Sequence, residues 1–317
     1  MKKTKLVMIG NGMAGVRTLE ELLKIAPELY EIAVFGAEPH PNYNRILLSP
    51  VLAGEQTIDQ IVLNPLSWYE EHGIRLHLGK KVVEVDRRRR IVRAADGTEE
   101  EYDRLLIATG SNPFILPVPG KELEGVIAYR DIADTEAMID AAQKYKHAVV
   151  IGGGLLGLEA ANGLMLRGMQ VTVVHIAPWL MERQLDDVAG QLLQKSLEAR
   201  GLRFMIGAQT QALIGGKDGR GDDKATPNRR VRAVQFKDGN EIPADLVVMA
   251  AGIRPNTELA LKIGLHCAND GRGGIVVSDT MQTVTDPRIY AVGECAAHRG
   301  IAYGLVAPLF EQGKVCA

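Results

Sequence analysis

The stretch VVIGGGLLGLEA, Val149–Ala160, joins a β-branched run to a helix-forming run through Gly152, Gly154 and Gly157. A short apolar run of this kind reads as a strand buried on both faces of a parallel sheet. In a G-x-G-x-x-G turn the first glycine permits the tight bend and the second lets backbone approach a pyrophosphate. The third lets the helix pack closely on the strand. The helix start then offers unpaired N–H groups and its positive end to phosphate. One such turn is weak evidence, because glycine turns are common between strands and helices. This chain has two: VMIGNGMAGVRT, Val7–Thr18, repeats the layout with Gly10, Gly12 and Gly15.

The flanking segments strengthen both readings. TKLVMIG is a buried strand by composition, and GVRTLEELLKIA carries apolar residues at helical spacing. The next strand, EIAVFGAE, ends in Glu38, roughly 20 residues past the glycines, where an acid binds ribose hydroxyls. Around the second loop, KHAVVIG is the strand and MQVTVVH is its successor, ending in His175 where an acid is expected. Glutamate there would bind a free 2′-hydroxyl and repel a 2′-phosphate, whereas histidine does neither decisively. The choice between NADH and NADPH therefore stays open. Arg183, in LMERQLD, is a candidate for a 2′-phosphate, although an ordinary surface arginine is the plainer reading.

At 317 residues the chain has room for about two domains. Its 46% hydrophobic and 24% charged residues are those of a soluble globular protein, and a net charge of −2 argues against nucleic acid or an anionic membrane as partner. The basic run Arg87–Arg90 lies between two strand-like segments and reads as a solvated hairpin turn. The apolar run after the N-terminal lysines is too short for a signal peptide, and no stretch approaches the roughly 18 apolar residues of a membrane span. A cytoplasmic location is expected. Cys267, Cys295 and Cys316 are scattered and form no C-x-x-C pair, which excludes a local dithiol or metal cluster. His40, His72, His77, His147, His266 and His298 show no ligand spacing.

Several further motifs stand in order around the two loops. RLLIATGSNP contains Thr109 and Gly110, LVVMAAGIRPN contains Gly252 and Asn256, and MQTVTDPRIYAVGECAA contains Gly293 and Glu294. Together these resemble the two-dinucleotide-binding flavoprotein family of ferredoxin, rubredoxin and disulfide reductases. The resemblance covers essentially the whole chain and implies an α/β fold with two Rossmann-like domains, the glutathione-reductase-like FAD/NAD(P) fold, without the C-terminal interface domain. It implies a discontinuous FAD-binding domain, about 1–117 plus 250–317, with an NAD(P)H-binding domain inserted at about 118–249. The polar stretch Ile214–Arg230 reads as a hairpin excursion.

The resemblance also assigns roles. FAD falls to Gly10, Gly12, Met13, Ala14 and Gly15 of the first loop, to Glu38, and to Val82, Thr109 and Gly110. Arg45 lies near its pyrophosphate, Ser49 near its ring, and Gly293 with Glu294 at the ribitol chain, where aspartate is usual. The helix containing Pro308 points its positive N-terminus at the flavin's pyrimidine edge. NAD(P)H falls to Gly152, Gly154, Leu155, Leu156 and Gly157, with His175, Arg183 and Gly252 around them. Glu159 is the one residue placed near the nicotinamide, with a helix-dipole acid as the equally weighted alternative. Hydride transfer requires the two rings in contact, which explains why one chain carries two such loops.

The segment LLSPVLAG has no thiol where disulfide reductases carry their cysteines. NYNRILLSPVLAGE, VTVVHIAPWLMERQLD, VGECAAHRG and YGLVAPLFEQGKV resemble the N-terminal flavin part of the assimilatory NAD(P)H nitrite reductase family's large subunit. In that family iron–sulfur and sirohaem segments follow, and their cysteine clusters are not in this sequence. The chain is thus expected to be part of a larger electron-transfer enzyme, with NADH or NADPH as co-substrate. Its expected acceptor is a downstream iron–sulfur/sirohaem domain or a small electron-transfer protein, and a homodimer is an allowed assembly. Two other readings stand beside this one: a free-standing rubredoxin or ferredoxin reductase, and a non-enzymatic NADH-sensing flavoprotein.

Overall fold

The computed structural model describes residues 3–216, 230–269 and 272–317. Residues 217–229, the greater part of the polar stretch read as an excursion, lie outside the described residues. The chain folds into two compact units. The first comprises Met1–Asn44, Val62–Asn112 and Arg254–Ala317, and the second Arg45–Ile61 and Pro113–Ile253.

Ten strands build one five-stranded parallel sheet in each unit. In chain order they are β1 (Thr4–Ile9), β2 (Tyr30–Phe35), β3 (Arg75–His77), β4 (Arg104–Ile107), β5 (Val126–Ala128), β6 (His147–Ile151), β7 (Gln170–His175), β8 (Arg203–Ile206), β9 (Leu246–Met249) and β10 (Ile289–Ala291). The first sheet has the order β10-β4-β1-β2-β3 and the second β5-β9-β6-β7-β8. Each central strand pairs on both sides: Val7 opposes Ala33 and Leu105, and Val149 opposes Thr172 and Val247. Neither central strand shows polar alternation, because helices cover both faces of a parallel sheet. Val7, Met8, Phe35, Leu105, Ile107 and Ile289 are buried in the first core, and Val149, Val174, Val247 and Met249 in the second.

Four helices position the glycine loops and their surroundings: α1 (Met13–Ile25), α2 (Leu48–Ala53), α3 (Leu155–Leu166) and α4 (Val306–Cys316). α3 is apolar on most faces and buries Leu158, Ala160, Ala161 and Leu164. Its Gly163 leaves room for Leu52 of α2, since a Cβ there would lie 2.7 Å from the Leu52 Cγ. Arg167, just past α3, donates to the carbonyls of Val51 and Leu52 and so satisfies the end of α2. These contacts place Arg45–Ile61 in the second unit, although it lies between two first-unit segments in sequence.

Smaller sheets, mainly antiparallel, complete each unit. In the first, Val82–Asp86, Ile91–Ala94 and Glu99–Glu101 form a meander, and Arg87–Arg90 fill the turn between its first two strands. The Asp86 carboxylate accepts the N–H groups of Arg88 and Arg89, both at 2.9 Å, which fixes that turn.

Candidate functional sites

The first glycine loop follows β1. Gly10 has φ +105°, and a Cβ there would stand 2.2 Å from the Ala108 carbonyl oxygen. At Gly15 a Cβ would meet the Ala108 Cβ and the Met8 Sδ, each at 2.8 Å. Packing inside the protein therefore excludes a side chain at the first and third glycines. Gly12 is different: its backbone is extended and a Cβ would meet nothing within 4 Å. No protein atom within 4 Å accounts for that glycine, and the open space there leaves room for a ligand to approach the backbone.

Helix capping points the same way. α1 and α3 start from Gly12 and Gly154 with no side-chain cap and no acid in the first turn. The helices Ile132–Lys144 and Asp187–Glu198, by contrast, are capped by the carboxylates of Asp131 and Asp186. The two glycine-loop helices thus start without a side-chain cap or a repelling acid, an arrangement compatible with phosphate.

The first loop is held from behind by Asn11. Its Oδ1 accepts from the Tyr69 hydroxyl at 2.8 Å, its Nδ2 donates to the His40 carbonyl, and its own carbonyl accepts from Asn42 at 3.0 Å. Burial pushes the Tyr69 hydroxyl up to about 12, so it remains a neutral donor. Glu38 stands just past β2, where its carboxylate accepts from the Tyr43 hydroxyl at 2.7 Å.

Thr109 and Gly110 follow β4. Thr109 Oγ1 donates to the Asn256 carbonyl, and the Asn256 N–H donates to the Gly110 carbonyl, both at 2.8 Å. Gly293 follows β10 with φ +86°, and its N–H donates to Gln312 Oε1 of α4 at 2.9 Å. A Cβ at Gly293 would stand 3.0 Å from that of Ala14, so this turn abuts the start of α1, which Met13 opens. Glu294 accepts from Ser111 Oγ at 2.8 Å. Gly10, Gly12, Gly15, Glu38, Thr109, Gly110, Gly293 and Glu294 therefore gather at the carboxyl ends of β10, β4, β1 and β2, the edge where open parallel sheets take their ligands. Pro308 sits in the first turn of α4, where a missing N–H is harmless. Val82 is largely buried in the core at the start of its strand, so only its backbone is suited to face a ligand.

The second loop repeats the geometry. A Cβ at Gly152, φ +131°, would lie 2.3 Å from the Ala250 carbonyl oxygen, and one at Gly157 would lie 2.0 Å from that of Gly152, while Gly154 faces open space. Leu155 and Leu156 open α3 with exposed side chains, and Gly252, φ +111°, follows β9 with nothing near its missing Cβ.

Glu159 and Ser49, 110 residues apart, are joined by a bond from Ser49 Oγ to Glu159 Oε2 at 2.7 Å. Tyr129 donates to Ser49 Oγ at 3.1 Å, and burial raises the pKa of its hydroxyl, which keeps it a donor. Arg45 donates to the Arg130 carbonyl. Both Arg45 and Ser49, expected along FAD, thus lie among second-unit residues. His175 is buried at the end of β7, and Arg183 is exposed on the following segment.

The anchors Asn42, Tyr69 and Tyr129 were not singled out by sequence. The role of each exists only through a partner distant in the chain. Cys267, Cys295 and Cys316 are unpaired. Among the described residues, no group of three or more His, Cys, Asp or Glu is placed to hold a metal, and no helix is long and apolar enough to cross a membrane.

The family model described as pyridine nucleotide-disulphide oxidoreductase matches residues 4–310. An NAD(P)H nitrite reductase of Bacillus subtilis (strain 168) is 55% identical over all of this chain, which covers 37% of that relative. The assimilatory nitrate reductase electron transfer subunit of the same organism is 49% identical, again over the whole chain and 39% of the relative. The chain thus spans less than half the length of these two relatives. Among solved structures, the covalent putidaredoxin reductase–putidaredoxin complex matches with a TM-score of 0.88 and 30% identity, over 100% of this chain and 75% of that one.

Proposed function

The chain belongs to the pyridine nucleotide-disulphide oxidoreductase family, and on that premise we propose that it is the flavin module of an NAD(P)H-dependent nitrite-reducing enzyme. FAD and NAD(P)H are the cofactors expected for this family. In this reading the first unit holds FAD and the second the nicotinamide nucleotide. FAD bound in the first unit would supply a two-electron acceptor for the nicotinamide's hydride and a donor to an iron–sulfur/sirohaem centre in a continuation or partner.

The residues have distinct tasks. The N–H groups opening α1 receive the FAD pyrophosphate across Gly12, Glu38 takes the adenosine ribose, and Glu294 takes the ribitol hydroxyls. Thr109, Gly110 and the start of α4 at Pro308 flank the ring. The N–H groups opening α3 receive the second pyrophosphate across Gly154. Glu159, oriented by Ser49, is a positioning group for the nicotinamide and no proton carrier, because hydride transfer needs no general acid. Cytoplasmic placement is supported by three unpaired cysteines, the usual state in a reducing compartment.

The carrying observation is the repeated loop geometry: twice, the second glycine faces open space before an uncapped helix, in a chain without a dithiol. The test is anaerobic titration of the FAD-loaded protein. NADH or NADPH is expected to bleach the flavin absorbance, and a spectrum that neither nucleotide changes would refute the proposal. The structural likeness to putidaredoxin reductase, solved in a covalent complex with putidaredoxin, supports a second reading, a free-standing reductase serving a separate electron-transfer protein. Reading the gene beyond Ala317 separates the two: cysteine clusters encoded there favour the nitrite-reducing enzyme.

A further inference from the structure

The second loop lacks an acid at the end of β7, but a carboxylate reaches that corner from elsewhere. His175 Nδ1 accepts the N–H of Gly153, the middle residue of the glycine loop, at 3.0 Å. That bond fixes the tautomer, so Nε2 carries the proton and donates to Glu182 Oε2 at 3.1 Å. The imidazole is packed tightly on the loop, since a Cβ at Gly153 would lie 2.7 Å from the ring's Cγ.

The backbone holds Glu182 in the same place independently. Met181 has φ +57°, a left-handed conformation that a non-glycine residue adopts only when its surroundings impose it. Its N–H donates to the Gly153 carbonyl at 3.0 Å, and its own carbonyl accepts from Gln184 and Leu185. Leu180 is fully buried beneath this turn. Both polar groups of the Gly153 backbone are thus spent on tethering the segment that carries Glu182. The loop is tied once through the imidazole and once directly.

We infer that Glu182, held by His175, replaces the missing strand-end acid as reader of the adenosine ribose and selects NADH over NADPH. This inference rests on the proposed nucleotide site of the second unit. A carboxylate has about four lone-pair positions, so the bond from His175 leaves capacity for a ribose hydroxyl. The same charge repels a 2′-phosphate. His175 is the positioning residue, which explains how a neutral ring at the end of β7 is compatible with ribose recognition. Arg183, exposed beside it, plays no part in this selection.

The experiment uses the FAD-loaded full chain and measures, by calorimetry, binding of ADP-ribose and of its 2′-phosphorylated form. The chain is expected to bind ADP-ribose more than about tenfold more tightly. Glu182→Gln should bring the two affinities within about threefold by admitting the phosphorylated ligand. His175→Asp in the Glu182→Gln background should restore the preference by returning the carboxylate to the strand end. An affinity ratio unmoved by Glu182→Gln would overturn the inference. So would a native preference for the phosphorylated ligand, which would point to Arg183. Failure of both ligands to bind a protein that retains FAD would sink the underlying nucleotide site, and this inference with it.

Discussion

Two substitutions three residues apart on one loop, at Gly12 and Gly15, should behave oppositely. At Gly15 an added methyl would stand 2.8 Å from both the Ala108 Cβ and the Met8 Sδ. The Ala108 methyl is fixed to its backbone and cannot swing aside, and Met8 is fully buried in β1, so its thioether would have to repack within the core. Overpacking of this kind costs about 1–3 kcal/mol. For a unit of this size that corresponds to a fall of about 2–12 °C in Tm. At Gly12 the backbone already has an L-residue conformation and the methyl would meet nothing. Gly12→Ala should leave apoprotein stability within about 1 kcal/mol of the parent, or raise it by restricting the unfolded chain. Its effect should fall on flavin instead, with affinity reduced more than about tenfold as the methyl occupies the pyrophosphate's approach. Thermal unfolding of the two apoproteins and fluorescence titration with FAD measure both quantities. If Gly12→Ala keeps full FAD affinity, or loses as much stability as Gly15→Ala, the assignment of the second glycine to ligand approach is wrong.

Ser49→Ala removes the donor to Glu159 and should couple to Glu159→Gln by about 0.5–3 kcal/mol in a double-mutant cycle read by chemical unfolding, with additive effects arguing against the pair. Tyr69→Phe should lower stability by about 1–2 kcal/mol by leaving Asn11 without its partner, and thermal unfolding checks it. Gln312→Leu strands the buried Gly293 N–H at a cost of about 1–3 kcal/mol and should also weaken FAD retention through gel filtration. Lys80, by hydrogen bonding, holds the Asp96 carboxyl down to about 2, below an unfolded value of roughly 3.9. Its contribution is therefore complete above the unfolded value and lost as pH falls through about 2. Asp96→Asn should flatten the pH dependence of stability in that acid window, as measured by unfolding at stepped pH.

The parts of the fold written in local pattern were legible in the sequence. Both glycine loops, their strands and the position of Glu38 follow from apolar runs punctuated by glycine and acid, while Glu294 was singled out only by the resemblance of its motif to a known family. The turn at Arg87–Arg90 was equally clear. What escaped was carried by distance along the chain. Nothing in LLSPVLAG announces that Leu52 fills the space left by Gly163, or that Ser49 meets Glu159. The His175 position read as an anomaly because sequence showed the missing acid but not the turn at Met181 that returns Glu182 beside it. Tyr69 looked like one aromatic in a short helix, and only the fold brings its hydroxyl to Asn11.

The interrupted course of the first unit has a consequence for biosynthesis. Every strand of the second sheet has left the ribosome once Met249 emerges, and the helix Leu48–Ala53 that packs in the same unit is made earlier still. The other sheet must wait, because β4 finds its outer neighbour only when Ile289–Ala291 is translated, with Gly293 and Glu294 directly behind. During that interval β4 presents an unpaired edge, the kind of surface that chaperones shield and that neighbouring nascent chains capture. The sheet of the second unit can thus close first, and the sheet proposed to serve the flavin gains its last strand only after the whole inserted unit has been made.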